Sequence, residues 1–331
     1  MGQGNNTQIE KDTRNYHLDL VKIFASIGVV VIHVVFNTTG DKFFRPVWDL
    51  AVPCFFMITG YLVGQRSQEY LINYVKSTAK LYLKAWVFYW LVDSVVLGVG
   101  LGINLKDYIK DFILTRLTLQ MVVSGEIGKY HLWYLSASII GIIIFMVLKK
   151  LAVPDWLMVV IGLIGYILIL KNPTRYISYG GFIKAFYNIA LGYTLKNRTS
   201  LKYDRKRFLM LPFIMILGST LPIIRMRATI PFMTEMMVSL TSVLIIYFAV
   251  TTYLPKNKFT DWGKKMTDSI YIFHPFALQV LVYMGGFEAG EGWNRTGWTG
   301  TLVLFTLTYL ATIGVVYVNN YLGGKIRELR T

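Results

Sequence analysis

The chain has 331 residues, of which 54% are hydrophobic and only 16% are charged. A soluble globular domain carries about 25% charged residues, so the composition excludes an ordinary soluble enzyme. The formal net charge of +16 does not indicate nucleic-acid binding, because the basic residues cluster at the ends of apolar runs. The single cysteine, Cys54, excludes an internal disulfide.

Apolar runs of about 20 residues recur along the whole chain, and a run of that length can cross a bilayer as a helix. They predict an all-α, polytopic transmembrane bundle that forms one integral-membrane domain over residues 1–331. About ten spans give the most economical count, with approximate limits of 18–37, 46–65, 78–100, 131–149, 153–170, 181–196, 207–224, 232–254, 268–286 and 298–322.

Loops rich in lysine and arginine alternate with loops that are poor in them, which predicts that both termini are cytoplasmic. Residues 1–17 are polar and the first apolar run is too long for a signal peptide, so we expect a cytoplasmic tail followed by a retained span. Residues 101–130 have apolar residues at helical spacing, interrupted by Lys106, Lys110 and Arg116. They predict an amphipathic segment on the outer surface.

The first apolar run, LDLVKIFASIGVVVIHVVF (18–36), contains Asp19, Lys22 and His33. Ionisable residues within a span are costly, so they indicate function by default. Lys22 and His33 are eleven residues apart, which places them on one stripe of a helix, about 16 Å apart along its axis. Asp19 can pair with Lys22 across one turn. Structural roles stay open, because Lys22 can snorkel to the headgroups and His33 can bond to a neighbouring helix.

Four segments, in order along the chain, resemble the acyltransferase-3 family of integral-membrane acyltransferases. In that family a basic residue, usually arginine, precedes an essential histidine by eleven positions, as Lys22 precedes His33 in LDLVKIFASIGVVVIH. Lysine is a departure that keeps the charge but loses the planar fork suited to bidentate phosphate contacts. The other three segments are VPCFFMITGYLVG (52–64), YHLWYLSA (130–137) and SIYIFHP (269–275).

The resemblance implies a multi-pass protein of the bacterial plasma membrane. It further implies transfer of an acyl group, usually acetyl, from cytoplasmic acetyl-CoA to a hydroxyl of a cell-surface glycan. The resemblance also implies that His33 is the general base or a transient acyl carrier. Lys22 then meets the CoA phosphates or negative charge along the acyl path, and Asp19 orients Lys22. Histidine suits the base role because it titrates near neutral pH, at about 6.5 in model peptides.

Other polar residues are weaker candidates for the same site. At the predicted inner edge, Arg66, Lys76 and Lys80 are assigned to the CoA phosphates, with anionic lipid headgroups as the alternative partner. We expect membrane lipids, acyl-CoA and a glycan acceptor as partners, and no metal ion, because the four histidines lack metal-ligand spacing. The candidates for acceptor binding are His131, Trp133, Tyr134, Glu235 and His274.

Purely structural roles stay open for several of these residues. His131 can belong to an interfacial aromatic belt, and His274 can satisfy a backbone carbonyl that Pro275 frees. His17 is expected to be solvated. Asp93, together with the pair Arg225 and Arg227, could join Glu235 in an outer half of the site, although no spacing links them.

A second function, from a different class, also stays open. The resemblance extends to the membrane domain of the vancomycin-resistance serine racemases, which is assigned to serine uptake. A transporter of a small polar molecule such as serine is therefore the alternative. No internal repeat is visible in the sequence, which weakens this reading.

Overall fold

The computed structural model describes residues 15–34, 47–101, 104–111, 118–125, 129–171, 181–198, 231–251, 256–284 and 297–328, and these are helical apart from short turns. A 3₁₀ turn, Tyr130–Leu132, leads into α6. The α-helices are α1 Tyr16–His33, α2 Ala51–Val63, α3 Gln68–Leu101, α4 Leu105–Asp111, α5 Leu119–Ser124, α6 Trp133–Lys150, α7 Asp155–Lys171, α8 Gly181–Arg198, α9 Pro231–Thr251, α10 Lys258–Met284 and α11 Gly297–Glu328.

Nine of the ten predicted spans coincide with a helix, and the remaining one, the seventh (207–224), lies outside the described residues. The starts of α3 and α10 come ten residues earlier than predicted. Hydropathy detects the apolar thickness of a bilayer, whereas a helix continues through polar turns beyond it. Among the described residues, α1 and α6 are each long and apolar enough to cross a membrane. The count of ten spans and the cytoplasmic termini stay predictions.

The region predicted as an amphipathic surface segment contains two short helices, α4 and α5, and residues 112–117 between them lie outside the described part. The side chain of Thr118 caps α5 by accepting a hydrogen bond from the backbone N–H of Met121. After α5, Gly125 adopts a positive φ of 78°, which glycine tolerates best. The outer location of this segment stays a prediction.

Helix α1 begins at a capped residue and is buried from its first turn. The side chain of Asn15 accepts hydrogen bonds from the N–H groups of His17 and Leu18, and it donates one to the carbonyl of Ala249 in α9. This contact draws the first turn into the bundle. The prediction that His17 is solvated is wrong, because its side chain is completely buried.

Two glycine contacts determine how the central helices approach one another. A Cβ on Gly60 of α2 would overlap the backbone of Ile189 in α8, and a Cβ on Gly192 of α8 would overlap the backbone of Met57 in α2. The two helices therefore cross with their backbones in contact, which is the kind of packing that small residues permit in membrane bundles.

Helices α1 and α10 lie side by side and run in the same direction. Gly263 of α10 faces the side chain of Ile23 and the carbonyl of Asp19 in α1. Eleven residues further along α10, His274 meets His33, which is ten residues beyond Ile23. Because both helices rise by the same distance per residue, this matching separation shows parallel packing in register.

The bundle has two ends that matter for the site. Helix α2 is antiparallel to α1, since Gly28 late in α1 faces Ala51 at the start of α2. After α2, the carbonyls of Gly64 and Arg66 accept hydrogen bonds from the Lys149 ammonium, at 2.5 Å and 3.0 Å. We call the end of the bundle at which α2 terminates, close to Arg66, the Arg66 end. The opposite end, at which α1 terminates, is the His33 end.

Candidate active site

Three histidines from separate parts of the chain meet at the His33 end. His33 is the last residue of α1, His131 lies in the 3₁₀ turn before α6, and His274 is in α10. The rings of His33 and His274 stack with centroids 5.0 Å apart, and His131 lies edge-on to His274 at 5.5 Å. His131 and His274 are 1% and 0% exposed, whereas His33 is half-buried. The sequence predicted all three as candidate site residues, but it did not predict that their rings meet.

The backbone of α10 fixes the orientation of the His274 ring. Its Nδ1 lies 3.1 Å from the carbonyl oxygen of Ile270, and a carbonyl can only accept, so we assign the proton of the neutral ring to Nδ1. The carbonyl of Tyr271 is also within reach, and Pro275 frees it because proline has no N–H. Nε2 is then an acceptor, and it bonds to no described residue.

An aromatic wall holds the histidines in place. Tyr271 donates its hydroxyl hydrogen to the carbonyl of His131, and its ring lies 5.6 Å from that of His131. Tyr89 of α3 lies 5.1 Å from the His131 ring and donates to the carbonyl of Ile272 at 2.5 Å. The interpretation of His131 as an interfacial belt residue is wrong, because it is buried among these rings.

A cavity of about 490 Å³, which we call the slot, lies beside this cluster. Its lining residues on α3 run from Tyr70 to Leu81, about 17 Å of helix at 1.5 Å per residue. The slot is therefore long enough for an extended chain. Its polar lining residues are Lys22, Thr59, Tyr70, Tyr74, Ser77, Thr78, Tyr134, Ser138, Asp268 and Tyr271.

The slot leads from the Arg66 end towards the histidines. Tyr70 lines its first part, and the guanidinium of Arg66 lies over the Tyr70 ring at 5.4 Å. On α10, Asp268 and Tyr271 line the slot, and His274 follows after the same spacing of three residues. Residues three apart are neighbours on a helix, so α10 connects the slot to the histidines. Tyr271 belongs to both.

The sequence-predicted residues near the donor side occupy different positions. Lys22 is half-buried and lines the slot, as its stripe on α1 predicts. Asp19 is buried one turn earlier, where its carbonyl faces Gly263. Lys76 and Lys80 are exposed on α3, and at 100° per residue they lie about 140° and 100° round the helix from the face that lines the slot.

Two of the predicted acceptor residues lie beside the slot. Tyr134 lines it and stacks on Phe56 with centroids 4.6 Å apart. Trp133 is buried and meets the same Phe56 ring edge-on at 6.4 Å. They come two and three residues after His131, so the YHLWYLSA segment supplies residues to the histidine cluster and to the slot.

Glu235 belongs to a separate polar cluster between α7, α8 and α9. One oxygen of its carboxylate accepts hydrogen bonds from the Lys184 ammonium at 2.9 Å and from the Tyr166 hydroxyl at 2.6 Å. Lys184 was not predicted as a site residue, although a lone lysine in the apolar run GFIKAFYNIALGY is a usable signal. One turn on, Asn188 accepts a hydrogen bond from Ser239 at 3.3 Å.

Asp93 lies in another cluster. Its carboxylate pairs with Lys129 at 2.9 Å and accepts a hydrogen bond from Gln279 at 3.2 Å. Within the described ranges, no contact joins this cluster to Glu235. Arg225 and Arg227 lie outside the described residues. In the part of the chain that the structure describes, no group of histidine, cysteine and acidic residues has the geometry to hold a metal ion.

Comparison with known protein families identifies the domain. A family described as an acyltransferase domain matches residues 15–319, a range that includes the histidine cluster, the slot and the Glu235 cluster. The chain belongs to the acyltransferase-3 family. Membership of this membrane-associated family, together with the apolar helices α1 and α6, makes it a membrane protein with an acyltransferase domain.

Relatives of this acyltransferase-3 protein include two proteins of Enterococcus faecalis that are named amino-acid racemase. One is 29% identical over 221 residues, which cover 61% of this chain and 27% of the relative. The other is 30% identical over 139 residues, which cover 40% of this chain and 19% of the relative. The matched regions are thus a small part of each relative. No solved structure matches the chain.

Proposed function

We propose that the protein is a membrane O-acyltransferase that moves an acyl group, normally acetyl, from acyl-CoA to a hydroxyl of a cell-envelope glycan. The observation that carries this proposal is the alignment along α10, where a slot for a linear chain is followed, within one helical turn, by a stacked pair of histidines. The acylated pantetheine arm of acyl-CoA is a linear chain that can lie along such a slot.

The donor enters from the Arg66 end, which we place on the cytoplasmic side. Lys22 lines the slot, and Arg66 lies over Tyr70, which lines the part of the slot nearest the Arg66 end. Both cations are therefore available to the CoA phosphates. Hydroxyl groups of Ser77 and Thr78 suit the amides of the pantetheine arm. Lys76 and Lys80 face away from the slot, so they meet the nucleotide end of CoA or lipid headgroups outside it.

His33 acts on the acceptor hydroxyl. The hydroxyl oxygen attacks the thioester carbonyl carbon, and the C–O bond forms while the C–S bond breaks. His33 takes the hydroxyl proton and returns it to the CoA sulfur, so the products are the ester and CoA with a free thiol. Lys22 lies about 16 Å from His33 along α1, too far for it to touch the reacting carbonyl. Its role is therefore donor binding, with Asp19 as its support.

The acceptor approaches from the His33 end, which we place on the outer side of a bundle of about ten spans with both termini in the cytoplasm. On this side, Tyr134 lines the slot, and His131 and His274 form the cluster beside it. Trp133 packs against Phe56, which also stacks on Tyr134. Glu235 is held by Lys184 and Tyr166, near the end of α7 and the starts of α8 and α9. It offers a carboxylate to sugar hydroxyls. Membrane lipids cover the exposed apolar side chains of the bundle.

Transport of a small polar molecule such as serine is the alternative function, and the amino-acid racemase relatives give it weight. The two functions are separated by measurements on purified protein in proteoliposomes. An acyltransferase releases CoA from acetyl-CoA when a glycan extract is supplied, and His33→Ala abolishes this release. A transporter moves labelled serine into the vesicles with no CoA present. Serine uptake without CoA release would overturn the proposed function.

A further inference from the structure

We propose that Tyr271 determines the length of the acyl group that the protein accepts. This inference rests on the proposed function, because it assumes that the slot holds the arm of an acyl-CoA. Tyr271 is the residue that the slot and the histidine cluster share. Anything that advances along the slot from the Arg66 end therefore meets this side chain before it reaches His274 and His33.

The Tyr271 side chain is held by contacts on several sides. Its hydroxyl donates to the carbonyl of His131, and its ring lies 5.6 Å from the His131 ring and 6.2 Å from the His274 ring. Tyr134, which also lines the slot, meets it edge-on at 5.1 Å. Tyr271 is buried within a cluster of packed apolar side chains. It is thus a fixed wall and not a mobile side chain.

A fixed wall at this position limits how far the acyl end of the donor can advance along the slot. Tyr271 precedes His274 by three residues, about 4.5 Å along α10, so the carbonyl comes nearest to the histidine pair when the acyl group that touches Tyr271 is short. Each added methylene holds the carbonyl further back towards the Arg66 end. A misplacement of about 1 Å can cost about 100-fold in rate, so selection for short chains is steep.

The test compares kcat/KM for acetyl-, butyryl- and hexanoyl-CoA with one glycan acceptor. We expect the wild-type protein to prefer acetyl-CoA over hexanoyl-CoA by at least about 100-fold. In Tyr271→Leu the wall is shorter, so the hexanoyl-to-acetyl ratio should rise at least about tenfold. Tyr271→Phe removes the hydroxyl but keeps the ring, and it should keep the wild-type ratio.

A matched control separates this effect from a general loosening of the core. Phe145 is fully buried in α6 and does not line the slot, so Phe145→Leu should leave the ratio unchanged. Equal use of acetyl- and hexanoyl-CoA by the wild-type protein would overturn the inference, even if Tyr271→Leu does not fold. An unchanged ratio in folded Tyr271→Leu would overturn it too. Absence of transfer from every donor would instead remove the proposed function.

Discussion

The imidazole rings of His33 and His274 stack with their centroids 5.0 Å apart and their planes 19° apart, although they come from the first and the tenth described helix. Two cationic rings at this distance would repel each other, so at most one ring of the pair is expected to carry a positive charge. One ring is fixed by the carbonyl of Ile270, and the other ends α1. The pair is therefore suited to accepting one proton and returning it.

Replacement of His33 tests the base directly. His33→Ala should insert and bind CoA like the wild type, because the donor contacts lie at the other end of α1, near Lys22. Transfer should fall by about 100- to 10,000-fold, the usual contribution of a general base. CoA binding by calorimetry and acetyl transfer at equal protein concentration are the measurements. Normal transfer in His33→Ala would show that this histidine is structural.

Substitution can separate the roles of the two ring nitrogens of His274. The amide of Asn can still donate to the Ile270 carbonyl, in place of Nδ1, but it has no group at the position of Nε2. His274→Asn should therefore melt close to the wild-type temperature and lose transfer at least about tenfold. His274→Ala should lose about 1 kcal/mol of stability as well, because the hydrogen bond is gone. Full activity in His274→Asn would mean that the bond to Ile270 is the whole role of the residue.

Lys22 is expected to act through its charge. Lys22→Ala should raise KM for acetyl-CoA about 10- to 150-fold, because a hydrogen bond to a charged group contributes about 1.5–3 kcal/mol. Lys22→Arg should keep most of the affinity, since it restores the cation in the slot. Steady-state kinetics over a range of acetyl-CoA concentrations decide this. If Lys22→Ala has an unchanged KM, the residue only snorkels towards the headgroups.

The crossing of α2 and α8 predicts a large difference between two glycines. Gly60→Ala should destabilise the protein by about 1–3 kcal/mol or more, because the added methyl overlaps the backbone of Ile189, which cannot move away as a side chain could. Gly314 in α11 has open space around it, so Gly314→Ala should be neutral or stabilising by up to about 1 kcal/mol. Thermal unfolding in detergent compares the two. Equal melting temperatures would contradict the close approach.

The proposed topology can be tested by labelling with an impermeant thiol reagent in intact cells. A cysteine at Gly290, in a loop assigned to the outside, should react, and one at Ser200, in the basic loop assigned to the inside, should not. The native Cys54 is buried, so it should contribute little background. Reaction at Ser200 in cells with an intact membrane would overturn the assignment of both termini to the cytoplasm.

The sequence predicted the parts of the site that depend on one helix. The spacing of Lys22 and His33 depends only on the geometry of an α-helix, and the structure places Lys22 in the slot and His33 in the histidine cluster. The early starts of α3 and α10 were missed, because their first turns are polar and carry no hydropathy signal.

The parts that depend on tertiary packing could not be predicted. His33 and His274 meet because α10 packs in register with α1, and that register depends on the close approach at Gly263. Nothing in the local sequence of Tyr271 indicates that it ends a cavity. The partners of Glu235 were also missed, since Lys184 and Tyr166 lie in different helices from it and no fixed spacing joins them.

The parallel pairing of α1 and α10 has a consequence for the protein while it is being synthesised. More than 200 residues separate the two helices, which at about 5–20 residues per second corresponds to roughly 10–50 s of translation. During that interval α1 is present, but the wall that Asp268 and Tyr271 supply and the partner ring of His33 are not. The unfinished chain therefore carries Lys22 and His33 without a closed slot, so the site cannot act before α10 has been made.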